Sequence, residues 1–153
     1  MNERPQTPSH APERAQSELR SALEANGCQT GTLHVFEAGT GVLMLAAHVG
    51  LPPQVAAIVA TVPVGKGMAG LAAERGEPVQ TCNLQTDTSG DVRPGAKAVP
   101  VQASVAVPMW LDGRLWGVLG FARTDAHEWS EAELAALQAT ANGMATRLRA
   151  DGT

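Results

Sequence analysis

Val62-Pro63-Val64-Gly65-Lys66-Gly67-Met68-Ala69-Gly70-Leu71-Ala72-Ala73-Glu74-Arg75-Gly76-Glu77-Pro78-Val79 is the stretch from which the rest of the chain can be read. An extended segment enters a glycine turn, a short helix follows, Gly76 stops it, and a Pro-led strand leaves. Gly65 and Gly67 permit a tight turn or a close backbone approach. Residues 68 to 75 are good helix formers, and Gly76 is suited to the left-handed position after a helix C-terminus. Pro78 opens 78–83, where a strand's first residue tolerates a missing N–H. A helix N-terminus facing a glycine turn is a place where backbone donors can meet an anion or carbonyl. The alternative is a turn that only packs. G-K-G-x-x-G is neither a P-loop nor a dinucleotide fingerprint.

Outward toward the N-terminus, Pro53 followed by 54–60 predicts a two-turn helix. Before it, 28–36 and 42–49 are rich in β formers and are joined through Ala38-Gly39-Thr40-Gly41, which predicts a hairpin. The second of these strands is nearly all apolar and predicts cover on both faces. A helix over 13–26 ends at Gly27 and carries a narrow stripe, Ala15, Leu19, Ala22 and Leu23, that must pack on something else.

Toward the C-terminus, 84–101 is long, polar and turn-rich, the type of loop that is functional or mobile in a compact domain. Strands over 102–111 and 114–122 flank Asp112-Gly113, a strong hairpin signal, and Pro108 predicts a bulge. Trp110 and Trp116 beside this turn are placed to pair across the strands. Ser130-Glu131-Ala132-Glu133 is a capping box, and Leu134, Leu137, Ala141, Met144 and Leu148 recur at helical spacing behind it.

The totals bound the class. With 153 residues, 44% of them hydrophobic and 17% charged, one folded domain with a core is expected. Only 3% are aromatic, so that core is aliphatic. A net charge of −4 without a dense Lys/Arg block argues against nucleic acid and anionic membranes as partners. No apolar run approaches a membrane span, and the N-terminal residues lack a signal-peptide core, which points to the cytoplasm. Residues 1–12 read as a disordered leader, 13–149 as a single domain and 150–153 as a tail. Cys28 and Cys82 form neither a disulfide framework nor a zinc pattern.

The element order resembles a GAF domain, as do three stretches: 64–79; Ser104-Val105-Ala106-Val107-Pro108-Met109 with Asp112-Gly113-Arg114-Leu115-Trp116-Gly117; and Trp129-Ser130-Glu131-Ala132-Glu133-Leu134. The resemblance covers about residues 15 to 149. It implies an α+β fold, a central antiparallel sheet of about five to six strands with the N- and C-terminal helices on one face. Short helices and the long loop would cover a small-molecule pocket on the other. It also implies a sensory or regulatory module, a homodimer through the terminal helices, and output to a separate signalling protein. A ligand would order 84–101 and shift the packing of the terminal helices.

Several subfamilies fit less well. The Asn-Lys…Phe…Asp-Glu pattern of cyclic-nucleotide binders is absent, since Leu84 follows Asn83. Bilin binders attach through a suitably placed Cys, and the residues flanking Cys82 do not match theirs. Free methionine-R-sulfoxide reductases are stand-alone GAF domains of similar length, but their cysteines lie around the glycine turn and in the following loop. Here those places hold Thr61, Met68, Ala69 and no loop cysteine. No Ser/His/Asp or paired-carboxylate constellation is visible, so no catalytic residue is expected. His34 and His48 are expected about four rungs apart on their hairpin, too far to share a metal, and a backbone carbonyl is the expected partner for such a histidine. The candidate ligand-binding residues are Lys66, Asp87 and Arg93 for a polar or charged ligand, with Asn83 and Ser104 as neutral hydrogen-bonding groups. No cofactor is indicated. A ligand-free interaction module is the alternative, and it predicts apolar side chains filling the space under the loop.

Overall fold

The computed structural model describes residues 7–81 and 102–152, with side chains from 13–81 and 102–149. The element order is α1 (Thr7–Ala25), β1 (Thr30–Glu37), β2 (Val42–Val49), α2 (Pro53–Ile58), β3 (Thr61–Pro63), α3 (Gly67–Arg75), β4 (Val79–Thr81), β5 (Ala103–Leu111), β6 (Arg114–Arg123) and α4 (Glu131–Gly152). The strands form one six-stranded antiparallel sheet in the order β3-β2-β1-β6-β5-β4.

Alternation along the strands divides the side chains between two faces. On one, Leu33, Ala47, Val105, Val107, Met109, Leu119 and Phe121 pack against Ala15, Leu19 and Leu23 of α1 and Leu137, Ala141, Met144 and Leu148 of α4. Gly31 makes this docking possible: a Cβ there would lie 2.6 Å from a methyl of Leu23. Glu18 joins the two helices through Arg147, 2.8 Å away, and Gln16 of α1 donates to the His48 carbonyl of β2 at 2.7 Å. On the opposite face, Leu43, Val62, Val79, Ala106 and Val118 lie under Ala72 of α3, with Phe36, Met68 and Ala69 packed around them.

The punctuation expected from sequence is present. Gly76 takes φ 72° and donates to Ala72 O, closing α3. Asp112 and Gly113 both have positive φ, 53° and 76°, the geometry of a tight hairpin turn. Ser130 Oγ accepts from Glu133 N–H at 3.1 Å, and Glu133 Oε1 accepts from Ser130 N–H at 2.8 Å.

Five expectations need correction. Helix α1 begins at Thr7, not near residue 13. Pro8 falls in its first turn, where a missing N–H has no helical partner to lose. Helix α4 runs to Gly152, because Ala150 and Asp151 present no stop. Strand β2 is not covered throughout: Met44 is 41% exposed although it pairs with Thr61 of β3, because the side chain stands off the sheet face and a strand partner covers only the backbone edge. The two-residue turn pairs Trp110 with Leu115 rather than Trp116, and a register slip beyond it pairs Met109 with Gly117, so that Trp116 has no cross-strand partner on β5. Trp110 lies against Gly76, whereas Trp116 packs on the helix-side core. Finally, a slip between Leu33 and His34 pairs His34 with Leu45 and His48 with Thr32. The two histidines are therefore two rungs apart on one face, not four.

Candidate functional site

The face that carries α3 changes character along its strands. Thr30, Thr32 and His34 of β1 alternate with Gly31, Leu33 and Val35. The helix side takes the apolar set, so the hydroxyls and the imidazole are left on the α3 side. Pairing then assembles rows. Thr81, Ser104, Ala122 and Thr30 lie across β4, β5, β6 and β1, and Val79, Ala106, Gly120, Thr32 and His48 form the next row, reaching β2. Strand spacing makes this floor about 15 Å wide from β5 to β2. No charged residue occupies a floor position of the described strands.

Gly120 sits at the centre of the second row. A Cβ there would lie 2.5 Å from Thr32 Oγ1, so glycine is what leaves the Thr32 hydroxyl its place.

His34 is 2% exposed. Its Nε2 lies 2.8 Å from the carbonyl oxygen of Val59, just after α2. A carbonyl only accepts, so Nε2 carries the proton and donates. Burial holds the imidazole pKa below its ordinary value, and the Val59 contact offsets this only in part. The ring is therefore neutral near pH 7. Its Nδ1 is buried without a hydrogen-bond partner, and so is Nδ1 of His48. A carbonyl partner was the expected arrangement for a strand histidine, and His34 has one at Nε2.

The sequence-derived candidates separate. Ser104 stands on the polar floor beside Thr81 and Ala122. Lys66 does not join it. It precedes α3, exposed, with its backbone N–H donating to Pro63 O, and Pro63 pairs with Val42 at the far end of β2. Six residues of strand separate Val42 from His48, roughly 20 Å. Asn83, Asp87 and Arg93 lie outside the described residues.

The glycine turn packs on itself: Gly65 N–H donates to Gly70 O, Gly70 N–H to Lys66 O, and a Cβ on Gly70 would stand 2.4 Å from Pro63 O. Those donors are spent internally, which favours the packing reading of the turn.

Thr30, Thr32, Thr81 and His48 were missed in the sequence. The period-2 run Thr30-Gly31-Thr32-Leu33-His34-Val35 was the available signal for the β1 members. Only strand register unites the others.

Cys28 lies on the other side of the sheet, in the core under α1 and α4. Burial pushes its thiol pKa up to about 11. A thiol that stays protonated at neutral pH is a poor nucleophile. Among the described residues no group of three or more His, Cys, Asp or Glu could hold a metal ion, and no helix is long and apolar enough to cross a membrane.

A family model for the GAF domain matches residues 10–149. No curated protein matches the chain. Among solved structures, the fold is similar to a type II free methionine-R-sulfoxide reductase from Thermoplasma acidophilum, at 20% identity over 94% of this chain and 96% of that one, with a TM-score of 0.73. It is similar to free methionine-R-sulfoxide reductase from Neisseria meningitidis, solved with its substrate, at 22% identity over 96% and 86%, with a TM-score of 0.73. It is also similar to the GAF domain of a phosphoenolpyruvate-protein phosphotransferase from Coxiella burnetii, at 23% identity over 93% and 94%, with a TM-score of 0.69. At these identities the likeness is one of fold.

Proposed function

The chain belongs to the GAF domain family, and from that premise we propose that it is a cytoplasmic sensory module, binding a small molecule at the polar end of its sheet and acting through a separate protein. One observation carries this reading: a single sheet face is apolar and helix-packed at one end, and lined by Thr30, Thr32, Thr81, Ser104, His34 and His48 at the other. An interaction module with a filled interior has no use for that second end. Apolar packing would be more stabilising across the whole face.

The likeness to sulfoxide reductases raises an enzymatic alternative, and the cysteines argue against it. Such a cycle needs a thiolate nucleophile and a resolving thiol. Of the two cysteines, Cys28 is protonated and on the wrong side of the sheet. Cys28 is therefore unsuited to resolve a product formed elsewhere, and the reading is non-enzymatic.

The terminal helices are the surface for a homodimer in this reading. The outer side of α4 exposes Ala132, Ala135, Ala136 and Ala139, with Gly143 half-buried, small residues over which a second helix can approach closely.

Native mass spectrometry of freshly purified protein, compared with the denatured mass, tests both parts. The expected result is a dimer with excess mass of defined value on each subunit. A bare dimer with no thermal shift across a nucleotide and metabolite panel would favour the interaction module. A bare monomer would remove the helix-pair dimer.

A further inference from the structure

The polar floor also specifies which side of the hydrogen bond its ligand must supply. His34 has its Nε2 proton committed to Val59 O, so its buried Nδ1 is a lone pair facing no donor. His48 Nδ1, directly across from Thr32 on the neighbouring strand, is buried and unpartnered as well. Both side chains stand on the same face, at diagonal positions of one hairpin, about 7–8 Å apart at the backbone. The hydroxyls around them, on Thr30, Thr32 and Ser104, either donate or accept and do not fix the sense.

An anion brought here would set its own lone pairs against that of His34, and among the described residues no Lys or Arg stands at a floor position to compensate. A group that carries N–H or O–H instead satisfies an acceptor that folding has left without a partner.

We propose that the polar end of the sheet recognises an uncharged molecule presenting an N–H donor, such as a primary amide or an amino-substituted heterocycle, to Nδ1 of His34, with Nδ1 of His48 as a second hydrogen-bonding atom whose sense the ligand sets, and that it discriminates against carboxylates and phosphates. This rests on the receptor reading above and names the ligand class for the same site.

The test uses the full chain labelled with 15N-histidine, titrated separately with nicotinamide, cytosine, acetate and inorganic phosphate. Long-range 1H–15N spectra report the state of each ring nitrogen. In the free protein, His34 is expected as the Nε2–H tautomer with an unbonded Nδ1. A donor-bearing probe is expected to bind and to move the Nδ1 resonances of His34 and His48 toward the hydrogen-bonded position. His48→Phe should weaken that binding about tenfold, the loss of one hydrogen bond to a buried ring nitrogen. His48 is only half-buried, so this variant keeps the test usable where His34→Phe unfolds the chain.

Binding of acetate or phosphate in preference to both donor probes would overturn the ligand class and leave the receptor standing. So would a donor probe that binds without moving either Nδ1 resonance. If Nδ1 of His34 is already hydrogen-bonded in the free protein, a trapped water or an internal donor satisfies the ring and the inference falls, while the receptor reading stands or falls separately on the native mass measurement.

Discussion

On β5, Ala106 lies beneath α3, while Ser104, two residues earlier on the same face, belongs to the polar floor. The same change occurs between Val118 and Gly120 on β6, between Phe36 and Thr32 on β1, and between Leu43 and His48 on β2. One end of this face has the usual composition of a protein interior. The other keeps hydroxyls and imidazoles where aliphatic side chains would pack at least as well. The sheet is therefore not optimised uniformly for stability. Burial is concentrated under α3, and polar groups that cost free energy to desolvate are collected at the opposite end.

That contrast can be broken most severely at its apolar end. Leu43→Ala removes a fully buried side chain between Phe36 and Val62, and urea denaturation should register a loss of about 2–5 kcal/mol. A loss under 1 kcal/mol would mean that the cluster under α3 is not a packed core.

The boundary between the two ends is probed by Gly120→Ala. Its new methyl would meet Thr32 Oγ1, an overpacking worth about 1–3 kcal/mol. Thr32→Ala in the same chain should restore most of it, and thermal melts of the double-mutant cycle read that coupling. Additive effects would show that the two residues do not compete for one space.

His34 adds a pH dependence that the apolar end lacks. Burial holds its folded pKa below the ordinary 6.5, so below pH 6.5 the unfolded chain takes up a proton that the folded chain resists. This contribution to stability is complete above pH 6.5. It is lost as the pH falls from there toward the folded pKa, at up to about 1.4 kcal/mol per pH unit. Denaturation at pH 7.5 and 5.5 should show a steeper fall for the parent chain than for His34→Gln, and equal slopes would place His34 in contact with water.

The smallest effect is expected at Ser104→Ala. Ser104 is half-buried and, among the described residues, its hydroxyl has no hydrogen-bond partner. Stability should change by no more than about 0.5 kcal/mol, while binding of any ligand found by native mass spectrometry should weaken. A large stability loss would turn the polar floor into structural packing.

Much of the fold was legible because its signals are local. The Ser130/Glu133 box, the Asp112-Gly113 turn and the Gly76 stop each act within a few residues, and each is present as expected. The register was not. Val42-Leu43-Met44-Leu45-Ala46-Ala47-His48-Val49 is apolar at seven of its eight positions, so nothing in it fixes the phase of the strand. The slip that brings His48 opposite Thr32 depends on partners elsewhere. The site suffered for the same reason. Ser104 is marked in the sequence as a polar neighbour of the 84–101 loop, whereas Thr30, Thr81 and His48 are ordinary residues until three pairings place them side by side. Lys66 was drawn in by its glycine neighbours, whose hydrogen bonds turn out to close the turn on itself.

The bond from Gln16 to the carbonyl of His48 gives β2 a mechanical role. The residue that offers its ring to the floor is tied through its backbone to α1, and α1 is clasped to α4 by Glu18 and Arg147. Strand β2 therefore cannot slide at His48 without either stretching that 2.7 Å tie or carrying α1 with it. One side-chain bond thus links the strand that carries His48 to the helix layer on the opposite face of the sheet.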